Sequence, residues 1–562
     1  MADLKEDCIS QFGSVPSHWP PSKAKDYEFS LERLMVLKIA PIINIAPLMA
    51  TYKGKEIIGR PTRNLVSMCL LMVYQLFNGL TDKATREALE RNLFLQTALG
   101  MEPHSDETII AVRSLWGFRD RFVKYDLFAP VFGEVLDDFI ARYNPNCTIV
   151  RGDGTHANSN MKKMGRIELC FSVIRGFLRR FSRSGSYLWK RVPEGLQQRY
   201  GILKKSVNVF SMAEKKDRKL FMEAMVDDLS FLVHYFVGNW SITGMDEWQK
   251  VERVFNDQCA LVKDEWVKIW GVKTPKARLL PGSEVLATAP RNPSDGEATY
   301  SRHKGAGYTW HILENVPPPT IGGEARGIAL ILSCGIKPAN EHESGFFPEA
   351  LEDLISLNVE PKYYVADASF GSSENDALAE ENKIKLISPV NGNTPRGGAS
   401  DIPPPKMSLT RFGFDDNLAI HTCPRGRKAM TTVQDTENGQ KFRAEFKRGV
   451  CSACPKNGDC LVKIVKSSAV LTYTKEEMRL AIRRKEQYEA LFIELYCLRS
   501  GVEASVQKLE KMLCPTGRVR YRGLAKMKFV LEIGVIAENL RRIILYESRV
   551  ARAMAKATKA RK

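Results

Sequence analysis

Thr148-Ile149-Val150-Arg151-Gly152-Asp153-Gly154-Thr155 runs β-branched residues into an acid. The run predicts a strand ending on Asp153. Working outward, Tyr363-Tyr364-Val365-Ala366-Asp367 repeats the arrangement, with a second strand leading into Asp367 and on to Ala368-Ser369-Phe370-Gly371-Ser372. A third acid, Glu503, stands on the helical stretch Tyr496-Cys497-Leu498-Arg499-Ser500-Gly501-Val502-Glu503. Two strand-end aspartates and a helical glutamate, far apart in sequence, can form a carboxylate cage for hard divalent cations. Such a cage drives phosphoryl transfer on nucleic acid.

The flanking pattern gives these strands a setting. Residues 1–30 read as irregular, with Pro16, Pro20 and Pro21. From about Leu31 to Tyr143 apolar residues recur three or four apart, as at Leu70, Tyr74 and Phe77, which predicts helices. Gly59-Arg60-Pro61 reads as the opening of the apolar helix, and Ser105-Asp106-Glu107-Thr108 as another helix start. Residues 160–270 return to helical periodicity, are strongly basic, and interleave Phe177, Phe181, Tyr187 and Trp189. The aromatics can stack on bases beside phosphate-binding cations or form the core of an amphipathic helical insertion, and the two readings can coexist. Residues 271–300 are rich in Pro, Gly and Ser and read as loop. Strands are predicted at Tyr308–Val316, Gly327–Ser333, Lys362–Val365 and Ile384–Pro389, with helices at Gly345–Leu357 and Ser373–Asn382. The order strand, insertion, strand, strand, helix, strand, helix, strand predicts a mixed α/β sheet, which permits the neighbouring strands that bringing Asp153 and Asp367 together requires.

The chain has 562 residues, 44% hydrophobic and 26% charged, enough for several domains with sizeable cores. The charged start Met1-Ala2-Asp3-Leu4-Lys5-Glu6-Asp7 lacks the apolar segment of a signal peptide, and Leu65 to Phe77 is too short to cross a bilayer. Twelve cysteines, scattered except for one cluster, argue against a secreted disulfide framework and for a reducing cytosol. The net charge is +18 and unevenly placed. Residues 161–219 hold 16 Lys and Arg against 4 Asp and Glu, and residues 461–562 hold 23 against 10. The rest of the chain is net negative, so two basic blocks face a polyanion partner. Lys511 to Lys528 alone carries six basic residues and no acid.

Tyr496, Arg499 and Glu503 lie at i, i+3 and i+7 of a helix predicted from about Lys475 to Met512, so they share a face. On that face the glutamate suits a metal, the arginine a bidentate phosphate, and the tyrosine a stacked base or a hydrogen bond. Cys423, Cys451, Cys454 and Cys460 are spaced 27, 2 and 5 residues apart in chain order between neighbours, with a CxxC between Cys451 and Cys454. Four thiolates so spaced predict a tetrahedral structural zinc, and His421 is an alternative to Cys423. His156, near Asp153, reads either as a residue touching the site or as a hydrogen-bonded structural histidine. His303-Lys304-Gly305-Ala306-Gly307-Tyr308 reads as a loop entering a strand.

In these residues and motifs the chain resembles DDE-type transposases of bacterial insertion sequences, from roughly residue 30 to 548. The resemblance rests on Gly59-Arg60-Pro61 with its apolar helix, Leu80 to Leu95, Ser105 to Thr108, Asp153-Gly154-Thr155 with Ser159-Asn160, and Lys304 to Tyr308. It continues through Ala366 to Ser372, Cys451 to Cys460, Arg499 to Val506, and Tyr521-Arg522-Gly523-Leu524-Ala525-Lys526. It implies an RNase H-like mixed five-stranded sheet with a helical N-terminal domain, a basic helical insertion and a four-cysteine zinc-binding insertion. The implied domains are an irregular segment at 1–30, a helical DNA-binding domain at 31–146, and a catalytic domain at 147–399 and 471–548 that carries the insertion at 160–270. A cysteine-cluster insertion at 400–470 and a basic tail at 549–562 complete it.

The implied activity is cleavage and strand transfer of double-stranded DNA at terminal inverted repeats, with target DNA as second substrate. Two Mg²⁺ ions would be held by Asp153, Asp367 and Glu503. Tyr496, Arg499, Lys511, Arg518, Arg520, Arg522 and Lys526 would meet DNA phosphates. The family's helical lysine falls at position 510, where this chain has Glu510; Lys511, about 80° from Glu503 around the helix, is nearer that face than Lys508, at about 140°. The implied assembly is a homodimer in the synaptic complex, in the cytoplasm with the nucleoid and without a membrane. The alternatives are an inactive or domesticated DNA-binding relative and an RNase H-like nuclease without strand transfer.

Overall fold

The computed structural model describes residues 12–52, 65–204, 217–318, 327–390, 407–434 and 439–560. The Gly59-Arg60-Pro61 helix start lies outside the described residues.

The first part of the chain is helical: α1 (Pro21–Glu28), α2 (Leu31–Ile39), α3 (Ala46–Ala50), α4 (Leu65–Phe77), α5 (Asp82–Arg91), α6 (Leu93–Ala98), α7 (Val112–Lys124) and α8 (Phe128–Tyr143). Side-chain oxygens start three of these helices: Ser30 accepts from the Arg33 amide, Thr81 from Ala84 and Asn92 from Leu95. Every residue of α4 from Val66 to Leu76 is buried, which suits a helix apolar on all sides at the centre of its block. No single helix among the described residues is long and apolar enough to cross a membrane; α4 and α5 pass that test only as a pair, bent by 114°.

The chain then enters β1 (Ile149–Asn158), the central strand of a mixed sheet. A helical insertion follows: α9 (Arg166–Ser182), α10 (Glu194–Arg199), α11 (Arg218–Phe236), α12 (Trp240–Thr243) and α13 (Asp246–Gln258). It closes on a hairpin, β2 (Cys259–Ile269) with β3 (Val272–Leu279), turning at Trp270 and Gly271, both with positive φ. The hairpin departs from the expected helix to residue 270 and loop from 271. Its register shifts between Leu261 and Trp266, and that bulge breaks the alternation by which a strand is read from sequence. Phe177 and Phe181 are fully buried in the insertion's own core, while Tyr187 is 73% exposed. The core reading therefore holds for those two phenylalanines.

The sheet resumes with β4 (Thr299–Ser301), β5 (Gly305–Asn315) and β6 (Ile331–Pro338). After α14 (Phe346–Ser356) come β7 (Tyr363–Val365), α15 (Ser373–Glu381) and β8 (Lys385–Ile387). Its order is β4-β5-β1-β7-β8, with β6 also on β5. β5 runs antiparallel to β1, β4 and β6, whereas β7 and β8 run parallel to β1 and to each other. The sheet thus has six strands where five are expected. The addition, β4, is three residues long, too short to leave a periodic signal in a stretch that otherwise reads as loop.

A second insertion carries β9 (Gly413–Phe414) with β10 (Ile420–Thr422), and a four-stranded sheet in the order β11 (Thr431–Gln434), β12 (Lys441–Phe446), β14 (Ala469–Thr474), β13 (Lys463–Ile464), with the short α16 (Arg448–Ser452). The expected helix from Lys475 to Met512 is three helices: α17 (Lys475–Glu486), α18 (Ala490–Cys497) and α19 (Ser500–Leu513). A straight rod of that length would span about 57 Å at 1.5 Å per residue and could not follow the sheet. The breaks let Arg483 reach the carbonyls of Gly371 and Ser388, Phe492 and Leu495 pack on Val365 and Ile387, and Val502 join the main core. α20 (Leu524–Ala560) ends the described chain. One core joins the N-terminal helices, the sheet, α14, α19 and α20.

Candidate active site

β7 pairs with β1 only as far as Arg151, so β1 continues past the end of β7 and carries Asp153 alongside the point where Asp367 emerges. Asp153 accepts from the Gly154 amide at 3.0 Å. Asp367 caps the turn that follows it: its Oδ1 accepts from the Ser369 amide at 2.9 Å and from Ser369 Oγ at 2.6 Å. From the helical side, Arg499 stands at the junction of α18 and α19. Its Nη1 is 3.1 Å from Asp153 Oδ2 and its Nη2 is 3.1 Å from Glu503 Oε1. One guanidinium thus spans two acids 350 residues apart in the chain.

The electrostatics bind the group together. Burial pushes the Asp153 carboxyl above its ordinary range; Arg499 and the Gly154 amide oppose that, and the charges of Asp367 and Glu503 add to it. Burial lowers the Arg499 value, but Asp153, Tyr496, Glu503 and Asp367 together outweigh it and hold the guanidinium above its ordinary value. Tyr496 is pushed up by burial, with Asp367 and Asp153 contributing in the same direction. Asp153, Asp367, Tyr496, Arg499 and Glu503 therefore share one field. His156 is held below its ordinary value by burial first and by Lys304 second.

The other expected phosphate contacts are placed differently. Arg520 donates to the carbonyls of Leu80 (closely) and of Gly79 at 2.6 Å. Arg522 donates to the Asn160 carbonyl at 2.6 Å, and Lys526 pairs with Asp120 at 2.6 Å. These three side chains join the C-terminal part of the chain to other elements. Arg518 and Lys511 are exposed, and Lys508 turns to the fully buried Glu538 at 3.2 Å.

Glu343, in the loop after β6, is an acid that sequence reading passes over. Its Oε2 is 3.2 Å from Ser369 Oγ, the hydroxyl that also holds Asp367, and its other oxygen pairs closely with Lys304. No periodicity marks a loop acid of this kind; the only signal is its place between two strands of the same sheet.

In the second insertion the four cysteines lie together. Burial raises the Cys451 thiol, and Cys460, Cys423 and Cys454 act on it in the same direction. All four are free thiols, and His421 is exposed. Among the described residues no group of three or more His, Cys, Asp or Glu is disposed to hold a metal ion, either here or at the carboxylates. The donor chemistry of the carboxylate group nonetheless suits a hard divalent cation. Burial first, and then the charges of Asp367 and Glu503, raise the proton affinity of Asp153, and a cation of another kind, the Arg499 guanidinium, already sits between Asp153 and Glu503.

Two family models match the chain. One, described as "Transposase DDE domain", covers residues 422–544, which include Glu503 and Arg499. The other, described as "Transposase domain (DUF772)", covers residues 26–121 in the helical block. No curated protein and no solved structure matches.

Proposed function

The two matches indicate a DDE-type transposase of the insertion-sequence kind, and from that premise we propose that the chain cleaves and joins DNA strands at the ends of its own element. The observation that carries the proposal is the bridge from Asp153 through Arg499 to Glu503, which draws a strand acid and a helix acid to one place beside Asp367. The sheet order, with β1 central, β5 and β6 antiparallel on one side and β7 and β8 parallel on the other, supports an RNase H-like reading of the catalytic domain.

Asp153, Asp367 and Glu503 would hold the divalent cations, Mg²⁺ in the cell, that such domains use. When bound, these cations supply activation of the attacking hydroxyl and charge neutralisation at the leaving oxygen. Ser369 and the turn amide fix the Asp367 carboxylate in one orientation. Arg499, with Tyr496 beside it, would present its fork to a phosphate of the scissile strand. A phosphorus–oxygen bond forms to water or to a 3′-hydroxyl, and the bond to the leaving oxygen breaks. Exposed Arg518 and Lys511 would hold flanking phosphates. The helical block at 31–146 would read the terminal repeats, and two chains would pair the ends. The cysteines at 423, 451, 454 and 460 would hold structural zinc.

The test is Asp367→Ala on terminal-repeat DNA with Mg²⁺. Loss of cleavage by at least 100-fold with end binding retained is expected, and undiminished cleavage would overturn the carboxylate assignment. Joined products in the same assay separate a transposase from a nuclease that only cuts.

A further inference from the structure

β1 and the helical junction are joined a second time, in the opposite direction. Arg499 reaches from the helix to Asp153 on the strand; Arg151, two residues earlier on the same strand face, reaches from the strand to the helix. Its Nη1 donates to the Leu498 carbonyl at 2.8 Å, where α18 ends and α19 has not begun. The rest of its fork lies on Glu314, its register partner on β5, with Nε and Nη2 at 2.9 and 2.7 Å from Oε1. Glu314 is buried, and its other oxygen accepts from Ser505 Oγ at 2.7 Å and from Arg542 Nη1 at 2.8 Å. Leu498 precedes Arg499 and Ser505 follows Glu503, so the network fastens the acid-bearing helix on both sides of its functional residues. The approach is close: a Cβ built on Gly501 would lie 2.0 Å from Arg151 Nη1 and 2.4 Å from its Cζ.

A buried ion pair adds little net stability compared with apolar residues of the same size, because desolvation offsets the attraction. What this one supplies is direction. A guanidinium that must satisfy a helix-end carbonyl and a strand carboxylate together sets how far the junction sits from β1. We propose that Arg151, with Glu314, is a positioning residue for the carboxylate site: it sets where the junction that bears Arg499 and Glu503 stands relative to Asp153 on β1. This rests on the reading of those two acids as cation ligands.

The experiment compares the full chain with Arg151→Lys, whose point charge serves the carbonyl or the carboxylate but not both, and with the double variant Arg151→Met/Glu314→Gln. The glutamine keeps an acceptor for Ser505 and Arg542 and leaves no uncompensated buried charge. Mn²⁺ binding to DNA-free protein, followed by the EPR signal of free Mn²⁺, is read beside thermal unfolding, affinity for end DNA, and cleavage rate at saturating DNA. The double variant is expected to unfold near the parent temperature and to bind DNA within about twofold. It is expected to lose Mn²⁺ affinity and cleavage rate by about 10- to 100-fold, the usual effect of removing a group that orients a metal ligand, and Arg151→Lys to recover part of both. Parent-like Mn²⁺ affinity in both variants overturns the inference. So does a fall in Mn²⁺ and DNA affinity in step with lost folded protein, which marks an arginine that serves only the fold. Failure of the wider reading is seen in the parent itself, as protein that neither takes up Mn²⁺ nor cleaves, and the inference then falls with it.

Discussion

Asp153 is held at a cost to the fold. Burial and the charges of Asp367 and Glu503 raise its carboxyl above the ordinary range even with Arg499 alongside. The sign follows from linkage: a carboxyl raised in the folded state favours folding at low pH, and that advantage is lost as pH rises through the folded value. At neutral pH the ionised acid is therefore a net burden, of the kind functional groups often impose on stability. Asp153→Asn should melt at a higher temperature than the parent at pH 7 without added metal, with the gain fading as pH falls through the raised folded value toward the ordinary carboxylate range. Thermal unfolding of both proteins from pH 7 to pH 4 measures it; an asparagine variant that melts lower at pH 7 contradicts it. At this scale Asp367 and Glu503 could be read from local pattern, one just past a strand and one on a helix, whereas Asp153 lies inside β1, which runs on to Asn158 because it stays paired with β5. Arg151 and Glu343 could not be read so, since their meaning depends on partners such as Leu498 and Ser369 that only folding brings near.

At the scale of elements, the pairing of β1 with β5 leaves no slack where it passes Gly307. A Cβ there would lie 2.1 Å from the Ala157 carbonyl oxygen and 3.0 Å from the Ser159 amide, both backbone atoms that cannot swing aside. Gly307→Ala should destabilise the protein by about 1–3 kcal/mol or more, the usual cost of overpacking, read as a lower urea midpoint; an unchanged midpoint would mean the strands can part there. The β5 and β7 strands and the helices at 346–356 and 373–381 fall close to where local composition predicts them, because their apolar residues are contiguous or regularly spaced. The β2–β3 hairpin and the breaks at 487–489 and 498–499 do not. The first hides behind a bulge, and the breaks answer to what the helices must reach: Arg483 to carbonyls beside β7 and β8, Phe492 to the apolar side chains of those same strands, Leu498 to Arg151.

Across the whole molecule, the helical block and the C-terminal segment are locked together at Asp82. Its carboxylate accepts from Arg119 at 2.6 Å, Gln75 at 2.8 Å and Trp116 at 2.7 Å, while Tyr521 lies under the Arg119 guanidinium at 4.6 Å. Burial pushes this carboxyl up, but Arg119 and the two neutral donors outweigh it and hold it below the ordinary range. Its stabilisation is present above the unfolded carboxyl value and is lost as pH falls through the depressed folded one. Asp82→Ala leaves Arg119, only 6% exposed, without its counter-charge, and should cost about 3–5 kcal/mol at pH 7. The deficit should narrow in acid, as measured by denaturant unfolding at pH 7 and pH 3. Sequence places the basic run at 511–528 but not its inward use, since Arg520 meets carbonyls 440 residues away. The same remoteness governs α20, which lays Phe529 against Phe122 and Phe128 and brings Glu547 to Lys38 and Tyr143. Ribosomes make those partners roughly 20–100 s apart, at about 5–20 residues per second. The earliest helices must therefore wait, apolar surface uncovered, for the last one to arrive, and a chain that stops short of it has no means of closing the centre it began with.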